Sequence, residues 1–556
     1  MKHFLYTTLT VALLSAAGCS HDLLNKPPVD RITADVVWTD AGLIQTYVNS
    51  KYRDLGFGFN WNGDEFMWAS ASDESLFSHD YGMWAINKGE ISPANLGVLG
   101  SGPDGYAGNP AEYNGNMNPW RKNYRSIRDI NVFFDRIGSA PVDSSLRRRL
   151  TGEMTFLRAF RYFDLVRNYG GVPLITRSFA LGDDFSGVRR ASVTESINFV
   201  VQEADRAAAL LPLAYESTDV GRATKGAALA LKARMLLYAA SPLYAGTNDV
   251  ARWQAAAKAA KDVINLGIYK LYPNYQELFL TPNNVEIIFN RIEAQQGDSF
   301  LNLERWNGPN GYGGWGGNLP TQNLVDAYEM MDGTAITDAN SSYNPQNPYV
   351  NRDPRFYATV LFNGAPYRGR AIETFTPNGL DSPDGPEAFN TSQTGYYLRK
   401  FITESRDLGD ANGSQAPWVY FRLGEILLNY AEAQNEAAGP DATVYDAVNQ
   451  LRARASMPPL PAGLTQTQMR ERLRRERQVE LAYEEHRYYD VRRWKIANVT
   501  ENAPVRGVQI TKDASGKLTY AYPTVQERRF ADRNYFLPIP LKETQSNPNL
   551  TQNPGF

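Results

Sequence analysis

The chain has 556 residues, with 57 Lys plus Arg against 60 Asp plus Glu for a net charge of -3, and it is 12% aromatic. That length is ample for a large core, while the near-neutral balance gives no broad positive field for a phosphate backbone, which argues against nucleic acid as a partner. A single cysteine, Cys19, excludes an intramolecular disulfide and any metal site built on paired thiolates.

The chain opens with Lys2 and an apolar run from Phe4 to Ala17 that ends in small residues. This reads as a secretory signal, too short to span a bilayer. The stretch Leu14-Ser15-Ala16-Ala17-Gly18-Cys19 resembles the lipobox of bacterial lipoproteins, where the leader is cut before a cysteine that then carries lipid. On that resemblance residues 1–18 are a signal peptide, Cys19 is the lipid anchor, and the polar, proline-bearing 19–38 form a tether. Each buried CH₂ of an acyl chain contributes about 0.8 kcal/mol, so several chains hold the protein on the membrane by the anchor alone. Beyond the leader no apolar run reaches transmembrane length.

Amphipathic helices are predicted next. Leu43, Ile44, Tyr47, Val48, Lys51, Tyr52 and Leu55 follow an i, i+3, i+4 stripe behind Thr39 as N-cap, and Trp120, Tyr124, Ile127, Phe134 and Ile137 repeat it. Further helical patterns fall near 143–169, 192–212, 224–244, 250–266, 417–438, 441–455 and 467–496. Ser192 and Glu195 stand at capping-box spacing. Paired helices with short connections suggest helical hairpins of the solenoid kind, although no clean 34-residue repeat is present.

Between them lie irregular stretches. Residues 56–118 and 297–320 are rich in Gly, Asn, Pro and Trp, and 332–416 mix turn residues with short candidate strands such as Tyr357 to Phe362. Loops this long are functional or disordered, and their aromatic content argues against disorder. With no low-complexity linker, 39–556 reads as one body in which a helical scaffold alternates with the irregular regions 56–118 and 297–416.

Eight stretches then occur in order along the chain: CSHDLLNKPPVDRIT from Cys19; EMTFLRAFRYFDLVRNYGGVPLI at 153–175; RATKGAALALKARMLLYAASP at 222–242; VDAYEMMDG at 325–333; NRDPRF at 351–356; LGEILLNYAEAQNEA at 423–437; RRERQVELAYEEHRYYDVRRW at 474–494; and the closing IPLKETQSNPNLTQNPGF. Together they resemble the SusD/RagB family of outer-membrane nutrient-binding lipoproteins. The resemblance implies a mainly α fold, a right-handed superhelix of tetratricopeptide-like helix pairs with an irregular ligand-binding face and few short strands. It also implies a lipid-anchored protein at the outer membrane, facing the cell exterior, that captures a glycan and passes it to a SusC-like TonB-dependent transporter. No cofactor is implied. Peptide cargo, as in RagB-like members, is an alternative, and a surface glycoside hydrolase sharing the anchor is a second.

Glu480, Glu484, His486 and Asp490 crowd the segment 474–494, but Arg477, Glu480, Glu484, Arg487, Val491 and Trp494 sit three and four apart, so alternating charges can pair along a helix stripe. An ion-pair network is favoured over an acid/base site. GYGGWG at 311–316 matches G-x-G-x-x-G, yet Asn307-Gly308-Pro309-Asn310 precedes it and Asn318-Leu319-Pro320 follows, without the strand and helix a dinucleotide site needs. The glycines instead let Tyr312 and Trp315 project. Sugar C–H faces stack on such rings. Trp306, Tyr312 and Trp315, with Trp84 and Tyr106 from the first loop, are the candidate exposed platform, set against the alternative that they plug loop mini-cores. Trp61 and Trp68 are assigned to the core. Asp73 resembles an acidic position common in the family, or caps a turn. A calcium site around Asp332, Asp338 and Asn340 lacks EF-hand spacing.

Overall fold

The computed structural model describes residues 35–53, 55, 67–80, 82–96, 119–292, 302–408 and 414–556. Cys19, the leader, Tyr106 and Trp61 lie outside them.

The scaffold is a stack of helices: α1 (Ala41–Arg53), α2 (Pro119–Arg136), α3 (Ser144–Tyr169), α4 (Val193–Leu210), α5 (Lys225–Ala240), α6 (Val250–Ile264), α7 (Leu423–Ala438), α8 (Ala442–Arg454), α9 (Gln466–Glu480) and α10 (Arg487–Arg493). Each packs on its neighbours in turn, α2 on α3, α3 on α4, α4 on α5, α5 on α6, α6 on α7, and α7 on both α8 and α9. The helix-pair architecture expected from the 3.6-residue periodicity is therefore present. One apolar cluster runs from Ile44 to Leu550 and includes Trp68, whose ring packs tilted against Tyr488 with centroids 4.7 Å apart.

Local chemistry fixes the helix ends. Ser192 and Glu195 form the anticipated capping box at α4. At α1 the cap is Asp40 rather than Thr39: Asp40 Oδ1 accepts from Leu43 N at 2.9 Å, while the Thr39 hydroxyl donates back to Val36 O. Helix α3 stops at Gly170, whose φ of 76° only glycine adopts without strain.

Two expected helices change character. The 417–438 segment begins as a strand, because Trp-Val-Tyr-Phe-Arg at 418–422 is aromatic and β-branched and pairs with Ile287–Arg291 before α7 starts. The 467–496 segment is broken between α9 and α10, with Tyr483 and Glu485 both at φ 64°. Conversely, Tyr357 to Phe362 is mostly a helical turn, Pro354–Thr359, followed by a two-residue strand.

The chain from 265 to 417 is an excursion between α6 and α7. Strand β2 (Ile287–Arg291) pairs antiparallel with β4 (Trp418–Arg422) and ties its two ends together. Strand β1 (Ser75–Phe77) pairs with β3 (Asn318–Pro320) and joins the first irregular region to the second.

Candidate functional site

The β1–β3 pair brings the two ring-bearing regions together. Ser78 N donates to Gly317 O at 2.9 Å, Ser70 Oγ and Met67 N both donate to Asn318 Oδ1, and Gln393 Nε2 donates to Ser78 O. Trp84, on a short helix just after β1, donates its Nε1–H to Phe77 O at 2.8 Å, and the Lys88 ammonium sits 5.3 Å from its ring centre. Its ring is half-buried.

The 303–317 segment is a compact hairpin. A short helix, Leu303–Asn307, is capped by Asn302 and returns through Asn310–Tyr312 toward β3. Backbone bonds lock the return: Trp315 N to Arg305 O at 2.6 Å, Gly316 N to Gly308 O at 3.1 Å, and Gly317 N to Trp306 O at 2.6 Å. Gly311 lies against the Arg370–Asp381 ion pair, where a Cβ would meet Asp381 Oδ1 at 2.5 Å. A short helix, Leu303–Asn307, precedes GYGGWG and strand β3 follows it directly, the reverse of the strand-then-helix order a dinucleotide site needs, so that reading fails on geometry.

On this hairpin Tyr312 and Trp315 are half-buried. The Tyr312 hydroxyl donates to Tyr367 O at 2.6 Å, its ring meets Tyr367 edge-on, and the Arg370 guanidinium lies 4.1 Å from the ring centre. Burial raises the Tyr312 hydroxyl's pKa, opposed by Arg370. The Arg305 guanidinium is 6.0 Å from the Trp315 ring centre. Arg370 is anchored by a bidentate pair with Asp381 at 2.6 and 2.8 Å. Arg305 and Arg370 are the residues that sequence reasoning missed. Arg305 is adjacent to the rings and was readable; Arg370 lies far away in sequence and carried no local signal.

Two expectations are corrected. Trp306, expected to be exposed, is only 7% exposed and belongs to the core, because the hairpin folds it inward while its backbone carbonyl binds Gly317. Asp73 is not a free acceptor: both oxygens bind Arg487 at 2.7 Å, and its carbonyl accepts from Thr321 Oγ1.

The acidic motif is an ion-pair network, as its spacing suggested, with partners both inside the motif and from elsewhere in the chain. Glu480 meets Arg355 and Arg422 at 2.9 and 2.8 Å and also Arg454. Glu484 binds Arg422 and Lys400, and Asp490 binds Arg477 and Arg493. Burial opposes the charge on Glu480, but the three guanidiniums outweigh it and hold its carboxyl far below the ordinary range. His486, buried among arginines, is pushed well below its usual value by burial first. Glu480 and Glu484, both held low by their cations, are ionised and paired at neutral pH and are poor proton donors there. Asp332 and Asp338 each accept a backbone N–H of their own turn, from Thr334 and Ala335.

Among the described residues no helix is long and apolar enough to cross a membrane. Residues 285–556 match the SusD family, and residues 39–237 match the family described as "Starch-binding associating with outer membrane". A SusD-like protein of Bacteroides fragilis shares 31% identity and superposes with a TM-score of 0.79, covering 96% of this chain and 100% of that one. A SusD-like carbohydrate-binding protein from the same species shares 27% identity over 93% of this chain and 100% of its own, with a TM-score of 0.78. SusD-like protein P2 of Formosa agariphila is 25% identical across 99% of both chains. The stacked helix pairs are the tetratricopeptide-like scaffold of these proteins, and the chain belongs to the SusD family.

Proposed function

We propose that this protein is a non-catalytic, lipid-anchored glycan-binding protein of the cell surface that captures oligo- or polysaccharide and delivers it to a SusC-like TonB-dependent transporter. The observation that carries the reading is the pair of half-buried rings, Tyr312 and Trp315, on a hairpin whose backbone is internally hydrogen-bonded. A rigid turn presents ring faces without ordering cost on binding, and rings with adjacent guanidiniums suit the C–H faces and hydroxyls of sugars. Trp84, on the short helix just after β1, is a further half-buried ring. The carbohydrate-binding relative of the same fold and length agrees with it.

The test is electrophoretic retardation of the purified protein in polysaccharide gels, with reducing ends assayed in parallel. Retardation without product supports capture. Release of reducing ends indicates a hydrolase, and failure on every glycan with retention of peptides indicates peptide cargo. Cys19→Ala is expected to move the protein from the membrane to the soluble fraction in cells lacking the transporter; persistence in the membrane refutes the anchor.

A further inference from the structure

A concavity of about 260 Å³ lies on the scaffold between the loops at 213–224 and 268–285 and strand β2. Its rim is unusual for a surface: Leu213, Val220, Ile268 and Val285 are between 43% and 53% exposed and all line this one place. Exposed aliphatic side chains concentrated around a concavity mark a ligand site more often than scattered ones do.

The floor is polar and unsatisfied. Asn290 is only 3% exposed, and among the described residues its Nδ2 has no hydrogen-bond partner. Tyr215 also lines the site, and its hydroxyl is buried with no hydrogen-bond partner among the described residues. An unpaired buried amide is costly unless something supplies an acceptor. The orientation of the site is set by β2. Ile287, Ile288, Phe289 and Asn290 all line it, along the part of β2 whose pairing with β4 is bulged. Among the described residues no member of β4 lines it and β2 pairs with β4 alone, so the concavity lies on the edge of β2 that no described strand covers.

We propose that this groove is a second binding site, for a small apolar ligand bearing a carbonyl oxygen, which Asn290 Nδ2 receives while the aliphatic rim covers the apolar body. The Tyr215 hydroxyl then serves a second polar atom of the ligand: an amide N–H if the carbonyl is an amide, an ester oxygen if it is an ester. The site is independent of the ring-bearing hairpin and of the glycan reading.

The experiment titrates the full mature chain with N-acetyl-L-leucine N-methylamide and, separately, isopentyl acetate, read by saturation-transfer NMR. The wild type is expected to bind at least one probe, and which one distinguishes an amide from an ester source. Val285→Asp, an exposed change, and Asn290→Leu, which removes the unpaired amide, are each expected to weaken binding by about tenfold or more. The melting temperature should hold in the first and hold or rise in the second. Polysaccharide retardation should be unchanged in both. The proposal is overturned if neither probe binds the wild type, if both variants bind as the wild type does, or if both variants lose the polysaccharide, since the groove would then be part of the glycan site.

Discussion

The charged joint around Glu480 and the ring-bearing hairpin at 303–317 are both held by dense hydrogen bonding, but they differ in what is left unused. In the joint, both oxygens of Glu286, Glu480 and Glu484 meet cations from Arg355, Lys400, Arg422 and Arg454. In the hairpin the backbone is satisfied and the ring faces of Tyr312 and Trp315 remain half open. The first arrangement spends its chemistry on internal geometry. The second keeps part of its ring surface for a partner: Trp315 is half-buried, while Tyr312 already spends its hydroxyl on Tyr367 O and meets the Arg370 guanidinium with its ring.

Breaking the joint should produce the largest effect. Glu480→Ala leaves three buried guanidiniums short of a carboxylate, and removing one partner of a buried ion pair costs about 3–5 kcal/mol. A urea-unfolding midpoint within error of the wild type would show that the network is not needed for stability. The second effect sits inside the hairpin itself. Trp306→Ala empties a core position and should cost about 3 kcal/mol, with glycan retardation unchanged if the variant folds. A loss of glycan with stability intact would return Trp306 to the ligand platform.

Why the joint was legible and the hairpin was not follows from range. Opposite charges three and four apart along 474–494 announced pairing, and apolar periodicity announced the helices, because both signals are local. The break after Glu480 carried no local signal: Leu-Ala-Tyr-Glu-Glu-His contains neither Gly nor Pro. It is imposed from far away in sequence, where Glu74 Oε1 accepts from Tyr483 N and Glu485 Oε1 accepts from Trp68 N. Likewise the Gly- and Asn-rich composition around Trp306 and Trp315 is the same, and only the tertiary course of the hairpin turns one ring inward and leaves the other half open. Asp73 could not be assigned because its partner, Arg487, stands at the other end of the chain.

A smaller effect sharpens the comparison where joint and loops meet. Glu501 is buried beside Asp73, Arg487, Arg492 and Arg528, and its carboxyl is raised to about 7, by burial first and by the Asp73 charge second. Its folded value exceeds its unfolded one, so the folded state binds the proton more tightly. The stabilisation is present below the ordinary carboxylate range near pH 4.5 and is lost as pH rises through about 7. Glu501→Gln should therefore melt near the wild type at pH 5 and more stably at pH 8, by on the order of 1–2 kcal/mol. Equal differences at both pH values would mean that the group does not titrate in that window.

The smallest stability effect and the most informative binding effect belong to Trp315. Its ring is half-buried and packs against the core from outside, while its backbone, not its side chain, makes the bond to Arg305 O. Removing the ring leaves the hairpin's hydrogen bonds in place, so Trp315→Ala should lower stability by less than Trp306→Ala does. Stacking on one good ring is worth about 1 kcal/mol, roughly a fivefold change in affinity, and the loss should appear as weaker retardation by the glycan the wild type binds. Tyr312→Phe supplies the control: the ring is kept and only the bond to Tyr367 O is lost, so retardation should stay near wild type. If Trp315→Ala instead binds normally and melts as low as Trp306→Ala, both rings serve the hairpin's own packing, and the distinction between a self-satisfied joint and an open hairpin disappears.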